Sequence, residues 1–279
     1  MKREIRVAKY YGYCSGVELA VNTLNRIMEK EKEIYIYGDL IHNRIVMEEL
    51  KQRGLKVIKN IDEIPETGTM VIRTHGVKPE VYDKAKEKGL KIVDLTCIFV
   101  KRSQNFAKKI ISEDLKLIII GEKNHDEILS IQGNAGGESI VINSVEEAKS
   151  INGVERAGIV IQTTFERELA KSIIGELFDK INYMEIYNTI CDATEKRQES
   201  CKALASQTDS FVVIGDKNSS NTNRLYEIAK SINKHTFMVS DKRSINCDDF
   251  KYSKTVGVTA GASTPDYIIN GVIERIENC

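Results

Sequence analysis

The chain has 279 residues, and 41 Lys and Arg residues balance 41 Asp and Glu residues, so its formal net charge at neutral pH is zero. This balance excludes the general basic field that holds nucleic acid or an anionic membrane, and any anionic ligand must be small and locally recognised. The longest aliphatic run, LIII at 117–120, is too short to span a bilayer, and the start MKREIRVAKYY lacks the apolar segment of a signal peptide. We therefore expect a cytoplasmic protein without nucleic-acid or membrane partners.

Short apolar runs alternate with helix-length segments along the chain, which indicates an α/β fold. Fully apolar runs of four or five residues predict strands that are buried on both faces of a parallel sheet. In chain order the runs are IYIYG (34–38), MVIRTHG (70–76), KIVDLTC (91–97), LIIIG (117–121), GIVIQTT (158–164), MEIYNTIC (184–191), FVVIG (211–215) and TVGVTAGAS (255–263).

Three cysteines mark an internal repeat. Counting 24 residues onward from Cys14, Cys97 and Cys191 reaches a glycine that ends an apolar run, and counting 28 residues reaches a polar side chain. The glycines are Gly38, Gly121 and Gly215, and the polar residues are His42, His125 and Ser219. The repeat predicts three similar α/β lobes, comprising residues 14–96, 97–190 and 191–279.

The third lobe lacks the last apolar run of the other two, because only a helix-like tail follows Ser263. The unassigned segment EIRVAKY at 4–10 can supply the missing strand. We therefore predict that residues 1–13 contribute the strand that closes the sheet of the third lobe.

Ligands of open parallel sheets bind beyond the carboxyl ends of the strands, where all three repeated cysteines lie. A pseudo-threefold arrangement of the lobes would bring these cysteines together at the centre, where three thiolates suit either zinc or an iron–sulfur cluster. The even cysteine count does not by itself indicate disulfides in a long chain without a secretory signal, so we expect the other cysteines to be free. Cys201 falls on an apolar helix face and is expected to be buried, and Cys247 and Cys279 receive no role.

The motifs at these strand ends resemble those of the 4-hydroxy-3-methylbut-2-enyl diphosphate reductases, iron–sulfur enzymes of the non-mevalonate isoprenoid pathway. The resemblance covers nearly the whole chain, and the combination of motifs is highly specific. The matching motifs are GYCSGVELAV, HNR (42–44), THGV (74–77), DLTC (94–97), HDE (125–127), QTT (162–164), ICDAT (190–194), GDKNSSNTNR (215–224) and VTAGASTP (258–265).

The resemblance implies a trefoil of three α/β lobes around one central [4Fe–4S] cluster per subunit, held by Cys14, Cys97 and Cys191. It implies reductive removal of the allylic hydroxyl, which yields isopentenyl and dimethylallyl diphosphate, with a ferredoxin or flavodoxin as electron donor. Glu127 matches the proton donor, and Thr163 matches its hydrogen-bonding partner. The residues that match the substrate ligands are His42, His75, His125, Thr164, Ser219, Ser220, Asn221 and Ser263.

The chain departs from the family pattern at two positions where proline is common, Ile98 after the second cysteine and Asp126 before Glu127. The carboxylate of Asp126 either raises the pKa of Glu127 or points away from it. Lys123 and Lys217 either add positive potential near the diphosphate or are solvated. Three alternatives remain open: an enzyme of the quinolinate synthase type, a non-catalytic redox sensor with the same thiols, and a zinc site.

Overall fold

The structure, a computed structural model, describes residues 3–65 and 67–279. Its strands are β1 (Glu4–Val7), β2 (Ile34–Tyr37), β3 (Lys56–Ile58), β4 (Thr69–Ile72), β5 (Lys91–Asp94), β6 (Lys116–Ile120), β7 (Ser139–Ile142), β8 (Arg156–Ile161), β9 (Tyr183–Tyr187), β10 (Ser210–Ile214), β11 (Thr236–Val239) and β12 (Thr255–Ala260). Its helices are α1 (Ser15–Lys30), α2 (Arg44–Gln52), α3 (Pro79–Glu87), α4 (Ile98–Ser112), α5 (Asp126–Ala135), α6 (Val145–Lys149), α7 (Arg167–Phe178), α8 (Asp192–Ala205), α9 (Ser220–Ile232) and α10 (Asp266–Glu277). Short 3-10 helices cover Ile61–Glu63, Lys242–Ser244 and Cys247–Phe250. Among the described residues, no helix is both long and apolar enough to cross a membrane.

The strands form three four-stranded sheets, and every pairing is parallel. The strand orders are β3-β2-β4-β5, β7-β6-β8-β9 and β11-β10-β12-β1. In each sheet the first strand after the cysteine helix is second in the order and pairs with the next two strands of the chain. The α/β class and the threefold internal repeat predicted from the sequence are confirmed.

The repeated glycines occupy equivalent positions in the three sheets. Each follows the second strand in the order, and its N–H donates to the carbonyl that ends the neighbouring edge strand. The pairs are Gly38 with Ile58 at 3.0 Å, Gly121 with Ile142 at 2.8 Å, and Gly215 with Val239 at 2.9 Å. The 24-residue offset in the sequence therefore reflects one backbone geometry that is built three times.

The apolar runs are continuous because each sheet is covered on both faces. Successive side chains of a strand point to opposite faces, and in β6 Ile118 packs with Phe165 and Leu177 on one side. On the other side Ile119 packs with the helical residue Ile131. A solvent-facing strand would show alternating polar residues, and β6 shows none from Leu117 to Ile120.

By packing, the chain separates into two compact units. One contains the N-terminal segment up to Glu18, His42–Ile45 and Asp192–Cys279, and with them the sheet β11-β10-β12-β1. The other contains Leu19–Ile41 and Val46–Cys191, and with them the remaining two sheets. The lobe boundaries predicted from the sequence, 14–96, 97–190 and 191–279, stay a prediction. Met1, Lys2 and Glu66, which those boundaries and the N-terminal segment include, lie outside the described residues.

The predicted closing strand is present as β1, which pairs in parallel with β12 from Glu4 opposite Thr255 to Val7 opposite Val258. The chain continues alongside the same strand, because the N–H of Ala8 donates to the Val258 carbonyl at 2.8 Å. The N-terminal segment therefore completes the third sheet, as expected.

The expectation that all cysteines outside the repeat are free is wrong for one pair, since Cys247 and Cys279 form a disulfide. Cys247 begins a 3-10 helix and Cys279 follows α10, and their Cα atoms are 5.2 Å apart. Both segments pack on the same core, to which Phe250 and Ile276 contribute. The 32-residue separation along the chain hid this contact from sequence reasoning.

We expect deletion of residues 1–9 to unfold the third sheet and its helices. The deletion removes the ladder along β12, together with the buried Ala8 and the partly buried Ile5 that pack on this sheet. Hydrogen exchange of the β12 amides and far-ultraviolet circular dichroism would measure the loss. Arg6→Ala is the control and should leave protection unchanged, because it removes only the exposed ion pair with Glu4 and a 3.4 Å contact with the Gln207 carbonyl. Full protection of β12 in the truncated protein would contradict the prediction.

Candidate active site

Each repeated cysteine lies in a turn between a strand and a helix. Cys97 is the residue before α4, and Cys14 and Cys191 directly precede α1 and α8. In all three turns the cysteine N–H donates to a carbonyl in the loop that follows the neighbouring strand. The acceptors are Ala262 for Cys14 at 3.2 Å, Thr74 for Cys97 at 2.9 Å, and Thr163 for Cys191 at 3.0 Å. The GAS, THG and QTT loops are thereby held beside the three cysteine turns.

The three repeated thiols differ from Cys201 in accessibility. They are not in a disulfide and are half-exposed, whereas Cys201 is fully buried and burial raises the pKa of its thiol to about 12. The expected burial of Cys201 is therefore found. Thiolate is the form that binds metals, and the positive end of a helix dipole favours negative charge at each of the three turns. Accessible thiols at helix N-termini fit a thiolate-bound metal or iron–sulfur group.

Glu127 is a buried acid in the first turn of α5, with 1 % of its surface exposed. Its carboxylate accepts the N–H of Thr163 at 2.7 Å and the hydroxyl of the same residue at 2.8 Å. Burial raises the pKa of Glu127 to about 7, an effect only partly opposed by the two bonds from Thr163. A carboxyl group with this pKa can hold a proton near neutral pH and release it.

His125 caps the same helix, because its Nδ1 accepts the N–H of Glu127 at 3.1 Å. A neutral imidazole that accepts at Nδ1 carries its proton on Nε2, so His125 retains one N–H donor. The ring of His75 meets the ring of His125 edge to face, with centroids 5.4 Å apart. One unit of the chain thus brings two of the predicted diphosphate ligands together beside Glu127.

Asp126 does not account for the raised pKa of Glu127. Its carboxylate is 2.6 Å from Nη1 of Arg73, which compensates its charge. The charged group that contributes to raising the pKa is Glu122, and its effect is smaller than that of burial. The alternative left open by the sequence is resolved in favour of an Asp126 carboxylate that is engaged elsewhere.

The HNR segment is joined to the third sheet by three hydrogen bonds. The side chain of Asn43 donates to the Ser263 carbonyl at 2.8 Å, and the Ser263 hydroxyl donates to the His42 carbonyl at 3.0 Å. The N–H of Arg44 donates to the carboxylate of Asp216 at 2.9 Å. His42 and Ser263, both predicted substrate ligands, are therefore neighbours.

The NSSN segment begins α9 and supplies buried polar groups. Ser219 caps the helix, and its hydroxyl accepts the N–H of Thr222 at 3.4 Å. Asn221 accepts the N–H of Ala262 through Oδ1, while its buried Nδ2 has no hydrogen-bond partner among the described residues. A buried donor without a partner is costly, and a helix N-terminus with hydroxyl groups suits phosphate oxygens. The exposed fractions are 5 % for Ser219, 5 % for Ser220, 4 % for Asn221 and 6 % for Ser263.

Several residues of this region were not found from the sequence. The guanidinium of Arg197, on α8, donates to the carbonyls of Gly12 at 2.8 Å and Tyr13 at 3.0 Å, and so fixes the turn that contains Cys14. Nothing distinguishes Arg197 from the other charges of α8 in the sequence. Asn43 lay within the HNR motif, but its role as the link to Ser263 depends on a contact across 220 residues.

The predicted ligand Thr164 follows Thr163 in the QTT turn and is half-exposed.

The family model described as LytB protein matches residues 5–277 of the chain. A protein of Thermoanaerobacter sp. (strain X514) named 4-hydroxy-3-methylbut-2-enyl diphosphate reductase is 38 % identical over 277 residues, which cover 98 % of this chain and 96 % of that one. A protein of the same name from Clostridioides difficile (strain 630) is also 38 % identical over 277 residues, covering 98 % and 99 % of the two chains.

Two solved structures are similar over nearly the whole chain. A structure of (E)-4-hydroxy-3-methyl-but-2-enyl diphosphate reductase is 36 % identical, covers all of both chains and superimposes with a TM-score of 0.71. The reductase of E-1-hydroxy-2-methyl-but-2-enyl-4-diphosphate from Plasmodium falciparum superimposes with a TM-score of 0.92 over 98 % of this chain and 88 % of that one, and its 23 % identity supports the fold alone. Because the family model matches residues 5–277, almost the whole chain, the chain belongs to the LytB family.

Proposed function

We propose that the protein is a 4-hydroxy-3-methylbut-2-enyl diphosphate reductase. Membership of the LytB family and the names of full-length relatives support this assignment. The structural observation that best supports this assignment is a chain of hydrogen bonds from Cys191 through Thr163 to Glu127. The same threonine accepts the cysteine N–H and donates twice to a buried acid, so a metal-binding turn and a proton donor are held together.

The reaction takes up two electrons and two protons, breaks the C–O bond of the allylic hydroxyl and releases water with an isopentenyl or dimethylallyl diphosphate. When bound by Cys14, Cys97 and Cys191, one [4Fe–4S] cluster per subunit would supply the electrons and, at an iron without a protein thiolate, a Lewis acid for the hydroxyl oxygen. Hydroxide is a poor leaving group, so a general acid must protonate the departing oxygen. Glu127 performs this step, and Thr163 holds its carboxyl group in place and shares the hydrogen bonding at the hydroxyl.

The diphosphate is bound by imidazole, amide and hydroxyl donors. His125 offers Nε2–H and Asn221 offers its buried amide N–H, and hydroxyl groups at a helix N-terminus supplement them. The proposed ligands are His42, His75, His125, Thr164, Ser219, Ser220, Asn221 and Ser263. A ferredoxin or flavodoxin as electron donor and a cytoplasmic location belong to the same proposal.

The first test is the visible and Mössbauer spectrum of anaerobically purified protein, with and without 4-hydroxy-3-methylbut-2-enyl diphosphate. We expect a four-iron cluster in which one iron site changes when the substrate is added, because only three cysteines are available as ligands. A colourless zinc protein would overturn the mechanism. A cluster that is indifferent to this substrate would favour the redox sensor or another enzyme with an open iron.

Glu127→Gln should lower kcat by about a hundredfold or more, the usual scale for removal of a general acid. Glutamine has the same shape and can still bond to Thr163, so the cluster spectrum and the affinity for the substrate should persist. Glu138→Gln, which alters a carboxylate whose side chain is 91 % exposed, is the control and should leave kcat unchanged. Unchanged turnover in Glu127→Gln would instead indicate that the acid is structural.

Glu127 should also make the protein less stable as the pH rises. Its pKa goes from the usual 4.5 in the unfolded chain to about 7 in the folded one, so the folded state binds the proton more tightly. The free energy of unfolding should therefore fall between about pH 4.5 and 7 by roughly 3 kcal/mol and level off above that range. Urea unfolding at pH 5 and pH 8 would measure the decline, which Glu127→Gln should reduce. An equal decline in both proteins would exclude Glu127 as its source.

A further inference from the structure

An ion pair between Arg73 and Asp126 connects the loop that contains His75 to the start of α5. Nη1 of Arg73 is 2.6 Å from Oδ2 of Asp126, and the two side chains are only 13 % and 25 % exposed. Both residues stand next to predicted ligands, because His75 follows Arg73 by two positions and His125 immediately precedes Asp126. No role for either charge is implied by the proposed chemistry.

The backbone around Arg73 is shaped to hold its guanidinium. Gly38 has a φ of 73°, in the left-handed region, and a Cβ atom there would lie 2.4 Å from Nη1 of Arg73. The left-handed conformation favours glycine, and the absence of a side chain leaves room for the guanidinium in its observed position. Nε of Arg73 also faces the Gly76 carbonyl at 3.5 Å. The guanidinium is therefore fixed across the end of β2.

The rest of α5 packs along the loop that contains His75. The amide of Gln104 donates to the hydroxyl of Ser130 at 2.6 Å, and Gly76 leaves the space for this pair, since a Cβ there would lie 2.6 Å from the Ser130 oxygen. Near the end of the helix the amide of Asn134 donates to the Val77 carbonyl at 2.9 Å. These two contacts are neutral, whereas the Arg73–Asp126 pair is charged, and it lies at the end of α5 beside His125.

The ion pair of Asp126 with Arg73 affects how strongly this region can bind a diphosphate. Asp126 adjoins His125, and an uncompensated carboxylate there would repel a diphosphate through a partly buried region, where electrostatic interactions are strong. Arg73 cancels that charge and at the same time ties the His75 loop to the His125 turn. Because its guanidinium is held by Asp126, Gly38 and Gly76, Arg73 acts on the anion through Asp126.

We propose that Arg73 and Asp126 are positioning residues for the diphosphate. Their ion pair holds His75 against His125, and Arg73 neutralises the Asp126 carboxylate beside the anion. This inference rests on the proposed function, because it assumes that the two histidines bind a diphosphate. Its distinguishing consequence is that the effects of the two substitutions on diphosphate affinity are not additive. Loss of Arg73 alone leaves the Asp126 charge to repel the diphosphate, and loss of both charges removes that repulsion.

The test measures dissociation constants of isopentenyl diphosphate and inorganic pyrophosphate for the anaerobic holoprotein and for Arg73→Gln, Asp126→Asn and the double variant. We expect Arg73→Gln to weaken binding about tenfold, the scale of one charge-assisted hydrogen bond, and the double variant to recover most of that loss. KM should rise in Arg73→Gln while kcat changes little, because the contacts of Glu127 with Thr163 do not involve Arg73. Arg73→Lys keeps the charge and should bind nearly as the parent protein does, which also guards against a folding failure of Arg73→Gln.

Lys91→Gln, which breaks a more exposed ion pair of the same sheet, provides the control. Lys91 pairs with Glu31, whose side chain is 27 % exposed, close to the value for Asp126, but this pair adjoins the amino ends of the strands. It should leave both dissociation constants unchanged. A double variant that binds no better than Arg73→Gln, or an Arg73→Gln variant that binds normally, would overturn the positioning role alone. A parent protein that binds neither diphosphate would overturn the proposed function and this inference with it.

Discussion

The structure depends on one backbone hydrogen bond that is repeated three times, from a cysteine N–H to a carbonyl just beyond the neighbouring strand. In a parallel sheet the carboxyl ends of adjacent strands lie at the same edge, so a turn after one strand can bond to the loop after the next. This bond places a thiol at a helix N-terminus and a short polar loop beside it. The parallel pairing of the strands is therefore enough to place the GAS, THG and QTT loops next to a cysteine.

In the QTT loop the residue that accepts the cysteine N–H also contacts the proposed proton donor, Glu127. The carbonyl of Thr163 is engaged by Cys191, which leaves the N–H and the hydroxyl of the threonine to donate to Glu127. Two donors to one carboxylate favour its ionised form, yet full burial prevails and the pKa rises to about 7. The acid is therefore destabilising in the folded protein at neutral pH, which is a common property of catalytic groups with shifted pKa values. Its position is retained because α5 and β8 fix it from both sides.

The sequence predicted the features that follow from the repeat and missed contacts between segments that are distant along the chain. The three sheets and the closing strand β1 followed from the 24-residue offset and from the apolar run that the third lobe lacked, since both are consequences of one topology used three times. The Cys247–Cys279 disulfide depends on how a 3-10 helix and the end of α10 share a core, and no periodic pattern records that. The Arg197 contact with the Cys14 turn is similar, because a helix with many charges gives no sign of which one is buried. Asp126 was recognised as unusual, but its partner lies 53 residues away and could not be named.

The compensation of Asp126 by Arg73 fits a wider pattern in the treatment of charge around the proposed diphosphate site. Lys123, which the sequence left as either a source of positive potential or a solvated residue, is paired with Glu147 at 2.5 Å. An opposite charge at this distance cancels most of the long-range field of the lysine. In the proposed site the diphosphate meets imidazole, amide and hydroxyl groups, and the burial of amide and hydroxyl groups costs much less than that of ionised groups. A site of this kind would recognise a diphosphate by the geometry of many hydrogen-bond donors. Such recognition suits a chain with no net charge, in which a local arrangement must do what a general basic field does in other anion-binding proteins.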